Sequence, residues 1–355
     1  MDTPFFDAEA LEALRKATRT DPEQVRLLRN ALLKDFEPDA QGLARAAALA
    51  PLGLHPLVLE QRHDSKIDGA SKLLFRTSSG LLTESVILRI ATGRTTLCVS
   101  SQVGCAAACR FCATGTMGIA RSLSAAEILD QVFQAGQLLA TEGRRPRNVV
   151  FMGMGEPFHN EDVLVEVIER LTDPAWFNLS PKKILVSTVG ITDGMLRFAR
   201  RFPSVGLALS LHSVRDEPRQ SIMPIAKRYP LPQLRETLVQ VNALQNRAVM
   251  LEYLMLNGVN DTDADAAALI EWTEGLDVHL NLIPFNPVDG AALQGSTAQR
   301  CSAFSDLLKA AGRTTTLRHS LGRDIEAACG QLVKRENLAR ARQAGANTAQ
   351  RKSNT

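Results

Sequence analysis

A short segment of the chain carries three cysteines whose spacing is typical of metal binding. Three residues separate Cys105 from Cys109, and two separate Cys109 from Cys112. Thiolates are soft ligands that stay deprotonated on a metal, so they suit iron–sulfur clusters. Three thiolates around a cubane of four irons leave one iron open to a further ligand. The spacing therefore predicts one 4Fe-4S cluster with a vacant corner for a substrate.

A structural zinc site, or a set of unrelated buried thiols, is the alternative interpretation of these cysteines. Closed zinc sites need four ligands, usually as two separated pairs. No histidine or further cysteine lies nearby in the sequence apart from Cys98. The ligand count therefore favours the cluster.

Small and polar residues recur further along the chain, each at the end of a strand-like run. Gly155 and Glu156 follow one such run; glycine lets the backbone approach a ligand, and a carboxylate accepts from an ammonium group. Taken singly, each of the others would be structural, but as a set at successive strand ends they favour ligand binding. They are Ser187, Ser210, His212 and Asn286.

Alternating strand-like and helix-like runs, which begin at Thr95, predict the framework for these residues. Such alternation gives parallel strands with right-handed crossovers. Six βα units are too few for a closed eight-fold barrel, so we expect an α/β fold with an open partial (β/α)6 barrel and ligands at the carboxyl ends of its strands. The strand-like runs are 97–100, 149–152, 184–187, 205–210, 249–254 and 280–283, with 314–318 as a further edge strand.

The chain before Thr95 predicts a small helical domain and a β-hairpin. Apolar residues at three- and four-residue steps indicate helices at 8–17 and 24–34. Two strands, at 72–76 and 84–90, flank a Ser-Ser-Gly turn. We therefore divide the chain into a helical accessory domain, a hairpin linker, a partial barrel and a C-terminal segment with a basic tail, at residues 1–66, 67–92, 93–320 and 321–355.

Composition sets broad limits on the class of protein. The chain has 355 residues, of which 45% are hydrophobic, and no apolar run long enough for a membrane span. Its six cysteines and the lack of a signal-like start fit reduced thiols, so we expect a cytoplasmic monomer. The net charge of +3 does not by itself predict nucleic-acid binding. The basic tail is a solvated terminus or an arm on RNA phosphates.

The cysteine motif resembles the signature of radical S-adenosylmethionine (AdoMet) enzymes. Its flanks, Ser100-Ser-Gln-Val-Gly-Cys105 and Phe111-Cys-Ala-Thr-Gly115, resemble the RlmN/Cfr family of RNA adenine methyltransferases over about residues 68–332. The resemblance implies an RNA substrate, 23S rRNA first and tRNA second, two AdoMet molecules per turnover and an electron donor such as flavodoxin or ferredoxin. It also implies AdoMet-binding residues, namely Gly155, Glu156, Ser187, Ser210, Leu211, His212 and Asn286.

Three further residues gain roles through the resemblance. Cys329, which alone would be interpreted as a buried cysteine, matches a cysteine that is methylated on sulfur and passes its carbon to RNA. Cys98, otherwise a small core residue, matches one that forms a transient disulfide with Cys329 and frees the product. Glu84 matches a base that removes a proton from the RNA adduct. Adenine C2 and C8 are not nucleophilic, so a radical carbon on Cys329 explains how either carbon becomes methylated.

The branch of the family stays open at this point. Phe111–Gly115, Leu171-Thr-Asp-Pro174 and His319-Ser-Leu-Gly322 are closer to the Cfr side, which methylates C8, whereas the RlmN type methylates C2. RlmN-type chains usually carry Arg-Gly-Asp-Asp where this chain has Leu321-Gly-Arg-Asp324. Rival hypotheses are a radical AdoMet enzyme acting on a peptide or small molecule and a non-catalytic iron–sulfur or zinc-bound RNA-binding protein.

Overall fold

The computed structural model describes residues 3–49, 52–287, 292–318 and 320–328. Its strands are β1 Thr3–Pro4, β2 Leu52–Gly53, β3 Val58–Asp64, β4 Ala70–Arg76, β5 Leu82–Arg89, β6 Thr95–Cys98, β7 Gln102–Gly104, β8 Ile119–Ser122, β9 Asn148–Phe151, β10 Ile184–Thr188, β11 Gly206–Ser210, β12 Val249–Met255, β13 Val278–Pro284 and β14 Thr315–Leu317. Its α-helices are α1 Ala8–Ala17, α2 Pro22–Arg29, α3 Asp39–Ala44, α4 Ala113–Met117, α5 Ala125–Thr141, α6 Glu161–Thr172, α7 Thr192–Arg201, α8 Asp216–Ile222, α9 Leu231–Leu244, α10 Asp263–Trp272 and α11 Ala298–Ala310.

Ten strands form one curved, mixed sheet in the order β14-β13-β12-β11-β10-β9-β6-β5-β4-β3. All neighbours from β6 to β14 are parallel, whereas β3, β4, β5 and β6 pair in antiparallel fashion. In the described residues β3 and β14 are the two unpaired edges, so the sheet stays open. The predicted α/β fold with six parallel strands and a further edge strand is confirmed.

The parallel strands are largely buried, as expected of strands between a barrel interior and an outer helix layer. Ile184, Val186 and Leu207 are among the residues with at most 1% exposure. Two of the helices begin at capping boxes. The predicted capping box of Ser124 and Glu127 opens α5, and a second box, formed by Thr262 with Asp265, opens α10.

The predicted hairpin is present as β4 and β5, but it has a third strand that the sequence analysis missed. β3 pairs with β4 along seven residues, Val58–Asp64, interrupted by a bulge. Most of its side chains are exposed and polar, as expected of an edge strand. Such a strand has no apolar alternation, which is why the pattern did not predict it.

The N-terminal helices pack directly against the barrel. α1 has the predicted bounds, and α2 continues as one π-helical turn over Asn30–Lys34. The rings of Phe5 and Phe133, the latter on α5, lie 6.3 Å apart. The described helices therefore share a core with the sheet. The four domain boundaries of the sequence analysis stay a prediction.

Beyond β14 the chain crosses to the other edge of the sheet. Gly322 N donates to Asp68 Oδ2 at 2.8 Å. Asp324 accepts from Ser65 Oγ and Lys66 N, both at 2.8 Å. Residues 65–69 form the connection between β3 and β4. These three hydrogen bonds, here called the C-terminal latch, hold residues 320–328 across the gap between the two edges.

The helices of the described residues are too short or too polar to cross a bilayer.

Candidate active site

A cavity of about 150 Å³ lies at the carboxyl ends of the parallel strands. All three thiols of the predicted cluster, Cys105, Cys109 and Cys112, line this cysteine cavity. Most of the predicted ligand residues line it as well, namely Gly155, Glu156, Ser187, Ser210 and His212. The fold thus gathers residues that are up to about a hundred positions apart, as the strand-end argument expected.

The cysteine loop is held in place from both sides. Gly115, in the first turns of α4, lies so close to the loop that a Cβ there would be 2.7 Å from the Cys109 carbonyl oxygen. A side chain at that position would push the loop away. On the other side, Arg110 N donates to Ile222 O at 2.9 Å, which ties the loop to the end of α8.

The cysteine thiols lie in surroundings that oppose a bare negative charge. Burial raises the pKa of the Cys105 thiol to about 12 and that of Cys109 well above its ordinary value. A thiol in such surroundings keeps its proton unless a cation takes the proton's place. The donor set therefore fits a metal cluster, which binds the deprotonated sulfurs and releases their protons.

The arrangement fits a cubane better than zinc. Among the described residues, no group of three or more His, Cys, Asp or Glu side chains is placed to hold one metal ion. A cubane binds each of its three cysteines through a different iron, so the sulfurs lie further apart than the ligands of one zinc ion. The geometry thus disfavours the structural zinc alternative.

Glu156 is fully buried and already accepts two backbone hydrogen bonds. Its carboxylate accepts from Phe158 N at 3.1 Å and from Val189 N at 2.9 Å. Burial raises its pKa to about 7. Gly155 before it has φ +104°, and a Cβ there would lie 2.7 Å from the Cβ of Gln102. The Gly-Glu turn therefore joins the ends of β9 and β10 as well as lining the cavity.

His212 is a neutral hydrogen-bond donor. Its Nδ1 accepts from Leu254 N at 3.1 Å, which places the ring proton on Nε2. Burial, with the nearby Arg219 charge, lowers the pKa of His212 to about 3. The ring meets Phe111 edge to face at 4.8 Å. The Nε2–H group is thus available to a polar edge of a ligand in the cavity.

Glu252, on β12, is a lining residue that the sequence analysis missed. Its Oε2 accepts from Ser187 Oγ at 3.1 Å and from Ser210 Oγ at 3.4 Å. Its buried Oε1 has no hydrogen-bond partner among the described residues, and burial raises its pKa. A charged residue inside the apolar strand Val249–Met255 was the signal that could have revealed it.

Leu211 and Asn286 lie just behind the cysteine cavity. Leu211 is fully buried between two lining residues, and its N–H donates to Glu252 O at 3.0 Å. Asn286 is buried and follows Phe285, which lines the cavity. Their predicted contacts with AdoMet remain a prediction.

Arg219, a second residue missed from the sequence, is buried beneath the strand ends. Its guanidinium donates to Leu211 O at 3.1 Å, to Val189 O at 3.0 Å and to Tyr229 O at 3.3 Å. Burial lowers its pKa to about 10, while the Cys109 sulfur opposes that change. Arg219 therefore joins three loops and supplies positive charge near the cysteines.

A second cavity, of about 530 Å³, lies at the amino ends of the strands. Cys98 lines this amino-end cavity, and so do Ala327 and Ala328 of the segment held by the C-terminal latch. Met152 lines both cavities. The two cavities therefore adjoin at Met152, and Cys98, the last residue of β6, lines the amino-end one.

Of the other two predicted catalytic residues, the structure describes Glu84 but not Cys329. Glu84 is buried on β5, where its Oε1 lies 3.7 Å from Lys72 Nζ. It alternates onto the same face as Val86, which lines the amino-end cavity. Cys329 lies outside the described residues, directly after Ala328. The described cysteines, Cys98 included, form no disulfide with one another.

The comparisons with known proteins agree with this fold and site. The radical SAM superfamily model matches residues 99–270. A solved radical SAM methyltransferase from Sphaerobacter thermophilus superposes with a TM-score of 0.85 and 36% identity, covering 91% of this chain and 96% of that one. Fold and site together thus define a radical AdoMet (SAM) enzyme.

Two curated relatives narrow the class. A probable RNA methyltransferase from Rhodopirellula baltica is 56% identical over 96% of this chain and 90% of its own length. A probable dual-specificity RNA methyltransferase RlmN from Thermus thermophilus is 43% identical over 75% of each chain. The chain belongs to the RlmN-type family of radical SAM RNA methyltransferases.

Proposed function

We propose that the protein methylates C2 or C8 of an adenosine in RNA, with 23S rRNA as the first substrate and tRNA as the second. The observation that carries the proposal is the course of residues 320–328, which bring Ala328, the neighbour of Cys329, into the cavity lined by Cys98. A radical AdoMet enzyme acting on a peptide or small molecule has no need of a cysteine that directly follows a segment lining the same cavity as Cys98.

The residues of the cysteine cavity fit the implied cofactors. Cys105, Cys109 and Cys112 would hold the 4Fe-4S cluster, and the AdoMet-binding set would comprise Gly155, Glu156, Ser187, Ser210, Leu211, His212 and Asn286. When bound, cluster and AdoMet supply a methyl group and a hydrogen-abstracting radical. Two AdoMet molecules are used per turnover, because one carbon is transferred and one hydrogen is removed.

Cys329 is the carbon carrier in this proposal. Its sulfur accepts the methyl group and presents that carbon to the adenine ring, whose C2 and C8 do not attack electrophiles. The latch at Gly322 and Asp324 holds residues 320–328, the segment directly before Cys329. Cys329 would thus work from the amino-end cavity towards the cofactors above.

Glu84 and Cys98 complete the reaction. The adduct of the methylene radical with adenine must lose one electron, which would return to the cluster. Glu84 would take the ring proton from the methylated carbon, and the Lys72 ammonium 3.7 Å away stabilises its carboxylate. The Cys98 thiolate then attacks the Cys329 sulfur. The methylene carbon leaves with the electrons of its bond to sulfur and takes up a proton, and a Cys98–Cys329 disulfide remains to be reduced.

Partners and location follow from this chemistry. The cluster needs a one-electron donor such as flavodoxin or ferredoxin. Thiols that must cycle through a transient disulfide suit the reducing cytosol, and we propose that the enzyme works there as a monomer.

The experiment that tests the function compares RNA from cells with and without the gene. Mass spectrometry of nucleosides from 23S rRNA and tRNA should show 2-methyl- or 8-methyladenosine only when the gene is present. The Cys329→Ala variant should bind a normal complement of iron yet give no methylated adenosine. Cys301→Ala, which removes a thiol buried in the outer core, is the matched control and should restore methylation.

Two outcomes would overturn the proposal. Unchanged RNA from cells that contain active protein, together with AdoMet cleavage by the purified enzyme under dithionite, would favour a peptide or small-molecule substrate. Normal methylation by Cys329→Ala would remove the carrier cysteine from the reaction.

A further inference from the structure

The amino-end cavity is strongly basic in the described part of the chain. Its lining contains five cationic side chains and no aspartate or glutamate. The chain as a whole has 41 basic against 38 acidic residues, so this local excess is not a property of the average surface. The cations are Arg94, Lys182, Lys183, Arg247 and Arg318.

Four of these cations lie at the rim, where the strands begin; the fifth, Arg318, directly follows β14. Arg94 directly precedes β6, Lys182 and Lys183 precede β10, and Arg247 precedes β12. Both lysines and Arg94 are exposed. Among the described residues, none of these four forms an ion pair. Their charge is therefore available to an anionic partner.

Arg247 is held in a fixed orientation within this rim. Its Nη1 donates to Lys182 O at 3.3 Å. Its guanidinium packs over Gly206, where a Cβ would lie 3.2 Å from Arg247 Cζ. Burial lowers the pKa of Arg247. Because the ordinary pKa of arginine is very high, the side chain remains a cation at neutral pH. A fixed guanidinium beside two flexible ammonium groups suits the phosphates of a flexible strand.

We propose that the amino-end cavity is the entrance for the RNA strand, and that Lys182, Lys183 and Arg247 bind the phosphates flanking the target adenosine. This inference rests on the proposed function. A base entering here would pass the rim cations and meet Cys98 and the segment before Cys329 on the inner wall. Phosphate contacts would hold the strand and leave the base free to enter.

An acidic electron donor is the competing occupant of a basic surface. Such a protein must approach the cluster, and the three thiols that would hold the cluster line the other cavity, at the opposite ends of the strands. The rim cations therefore favour RNA over an electron-donor protein.

The test uses the full chain with its cluster reconstituted under anaerobic conditions. The Lys182→Ala/Lys183→Ala variant is compared with Lys227→Ala/Lys309→Ala, which removes two exposed lysines outside the cavity lining. The probe is a fluorescein-labelled RNA hairpin with adenosine in its loop, and its fluorescence anisotropy gives the affinity at several salt concentrations. Iron content and the melting temperature confirm that both variants fold.

Loss of two phosphate contacts should weaken RNA binding about fivefold or more and flatten the slope of log affinity against log salt by about 1.4. The control variant should match the unmodified protein in both.

Equal affinity and slope for the two double variants, while the unmodified protein methylates RNA, would overturn this inference alone. The inference would also be overturned if Lys182→Ala/Lys183→Ala bound RNA normally but turned over only with dithionite and not with flavodoxin. The basic surface would then be the docking site of the electron donor. An unmodified protein that neither binds nor methylates RNA would overturn the proposed function as well.

Discussion

The carboxylate of Glu252 organises one wall of the cysteine cavity. One oxygen holds Ser187 and Ser210, and the other is buried without a hydrogen-bond partner among the described residues. A buried carboxylate oxygen left in this state is costly, and a ligand hydroxyl would satisfy it. The two serines that resemblance assigns to AdoMet binding therefore depend on a third residue.

Replacement of Glu252 should weaken AdoMet binding. In Glu252→Gln an amide takes the place of the acceptor, so we expect binding to weaken about tenfold, the usual effect of losing one charge-assisted hydrogen bond. Equilibrium dialysis of the reconstituted protein measures it. Glu236→Gln, an exposed change of the same kind, serves as control. Unchanged AdoMet affinity in Glu252→Gln would show that the orphan oxygen does not face the ligand.

Some residues of the cysteine cavity could be predicted from the sequence, and others could not. The cysteine spacing and the residues at strand ends predicted eight of the residues that line the cysteine cavity, because both are local features. Glu252 and Arg219 were missed because their roles arise from contacts with distant loops. Arg219 spans the carbonyls of Val189, Leu211 and Tyr229, and no local spacing encodes that contact.

At the scale of elements, the C-terminal latch holds the described segment that precedes Cys329. Asp324 accepts hydrogen bonds from Ser65 Oγ and Lys66 N. The hydrogen bond from the Lys66 backbone N–H is the main reason that the pKa of Asp324 is lowered. The latch joins the chain after β14 to the connection before β4. It therefore crosses the gap that the open sheet leaves.

Loss of the latch carboxylate should loosen residues 320–328 without unfolding the barrel. In Asp324→Ala the Lys66 amide loses its acceptor, so its hydrogen exchange should quicken about threefold to tenfold. Exchange mass spectrometry of peptides covering 64–70 and 320–328 gives the rates. Asp306→Ala, on the exposed face of α11, should leave both peptides unchanged. Identical protection in the Asp324 and Asp306 variants would mean that the latch does not restrain the segment.

The elements themselves were largely predictable from the sequence. The apolar runs of the parallel strands and the capping box of α5 are strong local signals, and all were found in place. The polar strand β3 and the short strands β7 and β8 were not predicted. Each is formed by pairing with a neighbour rather than by its own apolar pattern, so the sequence holds little sign of it.

At the scale of the whole molecule, an ion pair helps to join the N-terminal part to the barrel. His55 Nδ1 lies 2.6 Å from Asp130 Oδ1 of α5, and its Nε2 lies 3.1 Å from Asp39 Oδ2. Burial lowers the pKa of His55, but the two carboxylates outweigh that effect and raise it to about 9. The ring also stacks on Phe133. The imidazolium therefore links two distant stretches of chain.

This ion pair should make stability depend on pH above neutrality. Below pH 6.5, the ordinary pKa of histidine, its contribution is fully present, and it is lost as the pH rises through about 9. As the pH rises across that interval, we expect the melting temperature of the unmodified protein to fall further than that of His55→Gln. The difference should be on the order of 3 °C. Differential scanning calorimetry of both proteins at matched salt measures the difference. Parallel melting curves would show that His55 is not charged in the folded state.

We propose that Cys329, which directly follows a segment lining the same cavity as Cys98, carries the new carbon to RNA. Mass spectrometry of protease- and nuclease-treated Cys98→Ala protein, isolated after turnover with RNA, tests it most directly. We expect a covalent adenosine adduct on the peptide containing Cys329, and no such adduct in Cys98→Ala/Cys329→Ala. Release of methylated RNA by Cys98→Ala at the normal rate, or an adduct on another residue, would contradict it.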